Sequence, residues 1–266
     1  MILTKFEGNR IAIFESIKSK HCVLTNDLGC VKEGFNGGSP QLTGFLDRFY
    51  GPGHSLFPLR VKHGHRVETT AWNINNANRQ FEADGLMYDY NRFPLPGKNL
   101  ADRLLPSIIG STTGDCPHLV YEAAYGNLGL VGTTHISWMN AGHDMPGRTM
   151  IRVQQMGYPL DTLRIALWTG ICVNCNEVDK PVQDALIFYP QHLHPGKDKD
   201  HWQLDLAGII LEQLERAGIR PGQIETSYVC PCCYRDEDDQ PLFFSYRRHY
   251  FEPQKEMRRN GLFIRA

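Results

Sequence analysis

The stretch HLVYEAAYGNLGLVGTTHISW, His118 to Trp138, constrains the fold more than any other part of the chain. Two runs rich in β-branched and aromatic residues flank Gly126-Asn127, a turn dipeptide. The segment therefore predicts two strands joined by a tight turn. DTLRIALWTGI (161–171) predicts another strand, buried by its apolar density. Between them RTMIRVQQMGY (148–158) predicts a helix ending near Gly157.

The same signals extend outward. RIAIFES (10–16) and HCVLTND (21–27) read as an early pair of strands, and GFNGGSP (34–40) as a loop. PLRVKHGHRVETTAW (58–72) reads as strand, break, strand. Residues 73–98 are polar and carry no clear period. WQLDLAGIILEQLERAG (202–218) is the strongest helix, with Leu206, Ile210, Leu214 and Ala217 on one face and Gly218 as a stop. IETSYVC, LFFSYRR and GLFIR follow as strands. Strands and helices mix without a regular βαβ alternation. The expectation is one α+β domain over residues 1–266, with a mixed sheet or two packed sheets.

Composition narrows the function classes. A net charge of −1 gives no global electrostatic case for nucleic acid or an anionic membrane. The basic pairs Arg247-Arg248 and Arg258-Arg259 are local, and the second reads as a solvated surface. No apolar run has the length of a membrane span, and the N-terminus lacks a signal-peptide pattern. The chain reads as cytoplasmic, where eight cysteines point to free thiols, metal ligands or catalytic groups.

Chemistry concentrates in three segments: KHGHRV (62–67), TTGDCPHL (112–119) and VGTTHISW (131–138). Each sets a His or Cys beside a predicted strand or turn, and strand ends converging on one sheet edge commonly build a site. Two His and one Cys form a suitable zinc set, leaving the fourth tetrahedral position open. From spacing alone, a buried thiol is the favoured reading for Cys116. His143 and His201 read as surface or hydrogen-bonded residues. A second set, Cys172 and Cys175 with Cys230, Cys232 and Cys233, could form a structural zinc site, with free thiols favoured. There is no phosphate-cradling glycine loop and no Gly-x-Ser-x-Gly elbow.

KHGHRV, GDCPHL and THISWMN together resemble the Val-His-Gly, Ala-Asp-Cys and Ala-His-x-Gly-Trp-Arg-Gly motifs of the bacterial polyphenol oxidase, or laccase-domain, family. NLADRLLPS, LWTGICVNCNEVD and YVCPCCYRDEDDQPLFFSYRRH extend the resemblance along nearly the whole chain, the Phe-Ser-Tyr-Arg-Arg block being the most specific part. The resemblance implies two mixed β-sheets packed together with flanking helices, in α/β/β/α layers. It implies a zinc-dependent purine nucleoside phosphorylase with adenosine deaminase activity, whose partners are a small purine nucleoside and phosphate. The metal ligands carry over to His63, Cys116 and His135, with His65 the local rival of His63. The cysteines of the second set occur in the family without forming a second metal site.

Within that frame Asp115 is a candidate to orient a ligand or handle a proton, and Arg247 and Arg248 are candidates to place charge at the substrate, at least one of them serving structure instead. His118 drops out of the ligand set. Two family arginines are replaced, by Asn26 and Met139, which puts anion binding in question. Copper with phenol oxidation, a metal-free Cys116–His135 hydrolase and a non-catalytic binding protein remain as alternatives.

Overall fold

Strand alternation builds the centre of the molecule. A computed structural model of the protein describes residues 1–25, 40–52, 55–63, 67–70, 81–89, 107–125, 128–251 and 258–265. The first strands are β1 (Ile2–Phe6), β2 (Asn9–Ile13), β3 (His21–Leu24), β4 (Ser55–Arg60), β5 (Val67–Thr70), β6 (Phe81–Glu82), β7 (Gly85–Asp89) and β8 (Ser107–Thr113). They are followed by β9 (His118–Tyr125), β10 (Leu128–His135), β11 (Leu163–Trp168), β12 (Glu177–Asp179), β13 (Leu193–Pro195), β14 (His201–Leu204), β15 (Ile224–Thr226) and β16 (Asn260–Arg265). The helices are α1 (Pro40–Tyr50), α2 (Trp138–Gly142), α3 (Met145–Gln155), α4 (Lys180–Ala185), α5 (Leu206–Arg216) and α6 (Tyr246–Phe251).

β9 and β10 pair antiparallel from Tyr125↔Leu128 to His118↔His135, as the sequence predicts. They lie inside a six-stranded sheet ordered β15-β11-β9-β10-β7-β5. A seven-stranded sheet, β1-β2-β3-β16-β8-β4-β6, faces it. Both are mixed: β4 runs parallel to β8, and β11 parallel to β15, while most other pairs are antiparallel.

The two-residue period of a strand decides which layer each side chain joins. Leu119, Tyr121 and Ala123 of β9 pack outward with Met150 and Val153 of α3 and Ile210 and Leu214 of α5. Val120, between them, points inward to the core shared with Leu59, Ile109 and Leu262 of the other sheet. β11 divides likewise, Ile165 and Leu167 outward, Ala166 and Trp168 inward, which explains its unbroken apolar run. On the far side Phe45, Leu46 and Phe49 of α1 cover Ile11, Cys22 and Phe263. The result is an α+β fold in α/β/β/α layers.

Several sequence-based expectations shift. β7 is fully buried within residues 73–98, which carry no visible period. The predicted helix from Trp202 starts only at Leu206, because the Asp205 carboxylate accepts the Gly208 N–H (2.9 Å) and caps it, while Trp202 lies in β14. LFFSYRR is not a strand. The Asn260 amide takes both the N–H and the carbonyl of Phe244 (2.8 Å each), and Ser245 Oγ accepts the Arg248 N–H (3.1 Å), so the backbone turns into α6. GFNGGSP, apart from Pro40 at the start of α1, and the Gly126-Asn127 turn lie outside the described residues. No helix among the described residues is long and apolar enough to cross a membrane.

Candidate metal centre

Three chain segments, far apart in sequence, meet at one end of the facing sheets. His63 follows β4, Cys116 lies in the turn between β8 and β9, and His135 ends β10. Their ligand atoms lie within 4.8 Å of one another. His63 and His135 present their rings at 67°, with centroids 5.1 Å apart. The three residues open on a pocket of about 650 Å³ that also takes in Asp115, Trp138, Asn176, Tyr246, Arg247 and Arg259.

Asp84 organises this cluster. It is fully buried just before β7. Its Oδ1 accepts the His63 backbone N–H (2.8 Å) and His135 Nδ1–H (3.3 Å). Its carbonyl accepts the His135 N–H (2.7 Å). His63 is held at φ 56°, a left-handed conformation uncommon for a residue with a side chain, and the bond to Asp84 helps keep it there. Donation from Nδ1 leaves His135 Nε2 free to ligate, the usual carboxylate–histidine arrangement behind a metal.

Burial sets the protonation states. It holds the His135 imidazole below its ordinary value against the opposing pull of Asp84, so the ring is neutral and able to ligate near pH 7. Burial, and after it the charge of Asp115, pushes the Cys116 thiol up to about 12, with Arg259 opposing. A thiolate at this position therefore needs a further cation besides Arg259, and a neutral His135 does not supply one. Among the described residues this is one of two groups able to hold a metal, and its donor set of two imidazoles and one thiol suits zinc or copper.

The other predicted residues separate. Asp115 lines the pocket but does not face the ligand histidines' backbone as Asp84 does. Its Oδ2 accepts the Arg247 N–H (2.6 Å), its carbonyl accepts the Ile171 N–H (2.8 Å), and Oδ1 is buried without a hydrogen-bond partner among the described residues. Burial raises its carboxyl above the ordinary range, with Ser245 and Arg247 opposing. Arg247 reaches the pocket while donating to the Glu177 carbonyl (2.7 Å). Arg248 turns away, onto the carbonyls of Pro231, Cys232 and Phe243, which is a structural role. His118 is fully buried, with Nε2 2.9 Å from Ser111 Oγ, and is not grouped with the three ligands. His201 pairs with Asp198 (2.6 Å) on the surface side. His65 and Asn26 lie outside the described residues. Met139, at a family arginine position, is 37% exposed.

Two residues escape the sequence reading. Asp84 sits in the stretch without a visible period. Arg259 belongs to a pair read as solvated surface, yet only Arg258 is exposed, lying over the Phe244 ring; Arg259 lines the pocket.

A family model described as multi-copper polyphenol oxidoreductase laccase matches residues 100–256. The chain belongs to this family. It is a divergent member, since the similar solved structures share little sequence with it. YlmD from Geobacillus stearothermophilus is 18% identical, with a TM-score of 0.72 over 99% of this chain and 98% of that one. The hypothetical protein YfiH of Bacillus licheniformis is 18% identical, with a TM-score of 0.71 over 92% and 91%. No curated protein matches the chain. At this identity the likeness to YlmD and YfiH establishes the fold, and the site rests on its own geometry.

Proposed function

We propose that the chain is a zinc-dependent enzyme that cleaves purine nucleosides with phosphate, with deamination of adenosine as a second activity of the same pocket. The observation that carries this reading is the juxtaposition of the His63–Cys116–His135 donors with two guanidinium side chains, Arg247 and Arg259, in one pocket. Its volume, about 650 Å³, suits a nucleoside-sized ligand. Trp138 and Tyr246 offer aromatic surface to a base.

His63, Cys116 and His135 would hold the zinc, which would supply a Lewis acid able to polarise a substrate atom or acidify a water. The rest falls to the chain. Arg247 and Arg259 hold phosphate, which attacks the ribose anomeric carbon as the bond to the purine nitrogen breaks. The bonding electrons leave with the purine, which takes up the proton that the attacking dihydrogen phosphate gives up. Asp115, whose carboxyl burial raises above its ordinary range, lines the same pocket and is the candidate to relay that proton. Asp84 keeps His63 and His135 in place throughout.

The test is phosphate-dependent release of free base from adenosine or inosine, with metal analysis of the same sample and His135→Ala as control. Zinc together with base release lost in the variant supports the reading. Copper with phenol oxidation overturns it in favour of the chemistry in the family's description. Base release unchanged in His135→Ala, or no release at all, also overturns it. A metal-free protein with a rapidly alkylated Cys116 points to a Cys–His hydrolase.

A further inference from the structure

The four thiols of Cys172, Cys175, Cys230 and Cys233 form a second cluster, behind the pocket wall. Each half is a Cys-x-x-Cys turn at the end of a strand. β11 and β15 run parallel, so their C-terminal ends lie side by side. Cys172 follows the end of β11 by the same interval at which Cys230 follows β15. The pairing continues past the strands: the Thr169 N–H donates to Ser227 Oγ (3.1 Å) and the Cys172 N–H to Cys230 Sγ (3.2 Å). The Cys175 N–H closes the first turn on the Cys172 carbonyl (3.0 Å), and the Tyr234 N–H closes the second on the Cys230 carbonyl (2.9 Å).

The bland reading of such cysteines is a set of small core hydrophobes. Burial argues against it, since Cys172 and Cys175 are only half-buried and Cys233 is exposed. Nor are they disulfides: Cys172 Sγ and Cys233 Sγ stand 3.7 Å apart, against about 2.05 Å for a sulfur–sulfur bond. That distance instead matches the edge of a tetrahedron with metal–sulfur bonds of about 2.3 Å, which is about 3.8 Å. All four sulfurs lie within 4.8 Å of one another, while Cys232, in the same turn, stays outside the group.

Against the free thiols that the family resemblance implies at these positions, and on the strength of their grouping here, we propose that these four cysteines form a closed structural zinc site that braces the pocket wall. The four thiols give up their protons to solvent on binding, so the site carries two net negative charges. Two guanidinium groups lie against its second turn: Arg248 bonds the carbonyls of Pro231 and Cys232, and Arg235 those of Cys232 and Tyr234. The Cys172 N–H bond to Cys230 Sγ is the kind of contact that stabilises a ligating sulfur. With all four positions filled by protein, the ion has no open coordination site and no part in the chemistry. Its effect is mechanical. Ile171, next to Cys172, donates its N–H to the Asp115 carbonyl, and Asn176, next to Cys175, lines the pocket.

The decisive sample is a His63→Ala/His135→Ala variant, which removes the pocket donors and leaves the four thiols. It is expected to purify with one zinc per chain, and X-ray absorption should find four sulfurs at about 2.3 Å and no nitrogen. Wild type should hold one further ion, and Cys230→Ser/Cys233→Ser should lose the all-sulfur one. Should that cysteine variant fail to fold, titration of the double-histidine variant with a mercurial replaces it, zinc leaving in step with four thiols. A folded double-histidine variant without zinc, a shell containing nitrogen, or a Cys172–Cys233 disulfide in unreduced peptides overturns the proposal. An all-sulfur zinc in a protein that releases no base overturns the functional reading alone.

Discussion

Replacing Asp84 with Asn tests the organisation of the metal centre most directly. The substitution keeps shape and volume, and the new amide oxygen can still accept the His63 N–H that now binds at 2.8 Å. It removes the charged acceptor behind His135 Nδ1. A hydrogen bond to a charged group contributes about 1.5–3 kcal/mol and a neutral one about 0.5–1.5 kcal/mol. The difference of about 1–2 kcal/mol is not softened by solvent, because Asp84 is fully buried. It converts to roughly 5- to 30-fold weaker metal binding, which overlaps the lower part of the range of about 10–100-fold for the loss of a carboxylate behind a ligating histidine. The assay is zinc affinity by competition with a chelator, with circular dichroism to verify the fold. Asp115→Asn is the comparison. Its carboxylate holds Arg247 and touches neither histidine by a hydrogen bond, so it should weaken zinc less than Asp84→Asn. Equal affinity in Asp84→Asn and wild type, or a larger loss in Asp115→Asn, would show that the Asp84 charge does not organise the centre.

Gly170→Ala should lower stability by at least about 1 kcal/mol and weaken metal binding. Gly170 sits at φ +66°, and an added Cβ would lie 2.3 Å from the Asp115 carbonyl oxygen; a melting temperature equal to wild type contradicts this. Arg259→Gln should raise the KM for phosphate about tenfold or more, whereas Arg258→Gln, which alters a contact with the Phe244 ring, should not; steady-state phosphorolysis distinguishes them. Stability should also fall on acidification. His21 is held neutral by burial, its Nε2 accepting the Phe14 N–H (2.7 Å) and its Nδ1–H donating to the Ser19 carbonyl (2.7 Å). Its proton affinity is lowered in the native state, so the unfolded chain binds more protons below about pH 6.5, and stability present above that value is lost as pH falls. His118 and His135 act in the same direction. Denaturant melts between about pH 7.5 and 5.5 should show the slope, reduced in His21→Gln; a flat profile speaks against buried neutral histidines.

The fold was legible wherever local pattern and tertiary demand agree. Val120 and Tyr121 alternate because β9 separates two apolar layers, and that alternation is written in the residues themselves. LFFSYRR misleads for the opposite reason. Its β-like composition is overruled by a single amide, Asn260, which takes the Phe244 hydrogen bonds that a neighbouring strand would have needed. β7 hides because a central strand buried on both faces need not alternate, and GLMYD is too short to show a run. The three candidate donors that the structure brings together stand out through motifs, each local to its own strand end. Asp84 and Arg259 do not, because their roles exist only across the sheets: one carboxylate oxygen joins residues 63 and 135, and one arginine near the C-terminal strand lines the same pocket as the thiol at 116. Met139 removes an arginine from the family motif, and a motif comparison counts that as a loss. In the folded chain Arg247 and Arg259 enter the pocket from separate segments near the C-terminus. The positive charge that an anion requires is a property of the assembled wall, so one substitution in a motif does not decide whether phosphate binds.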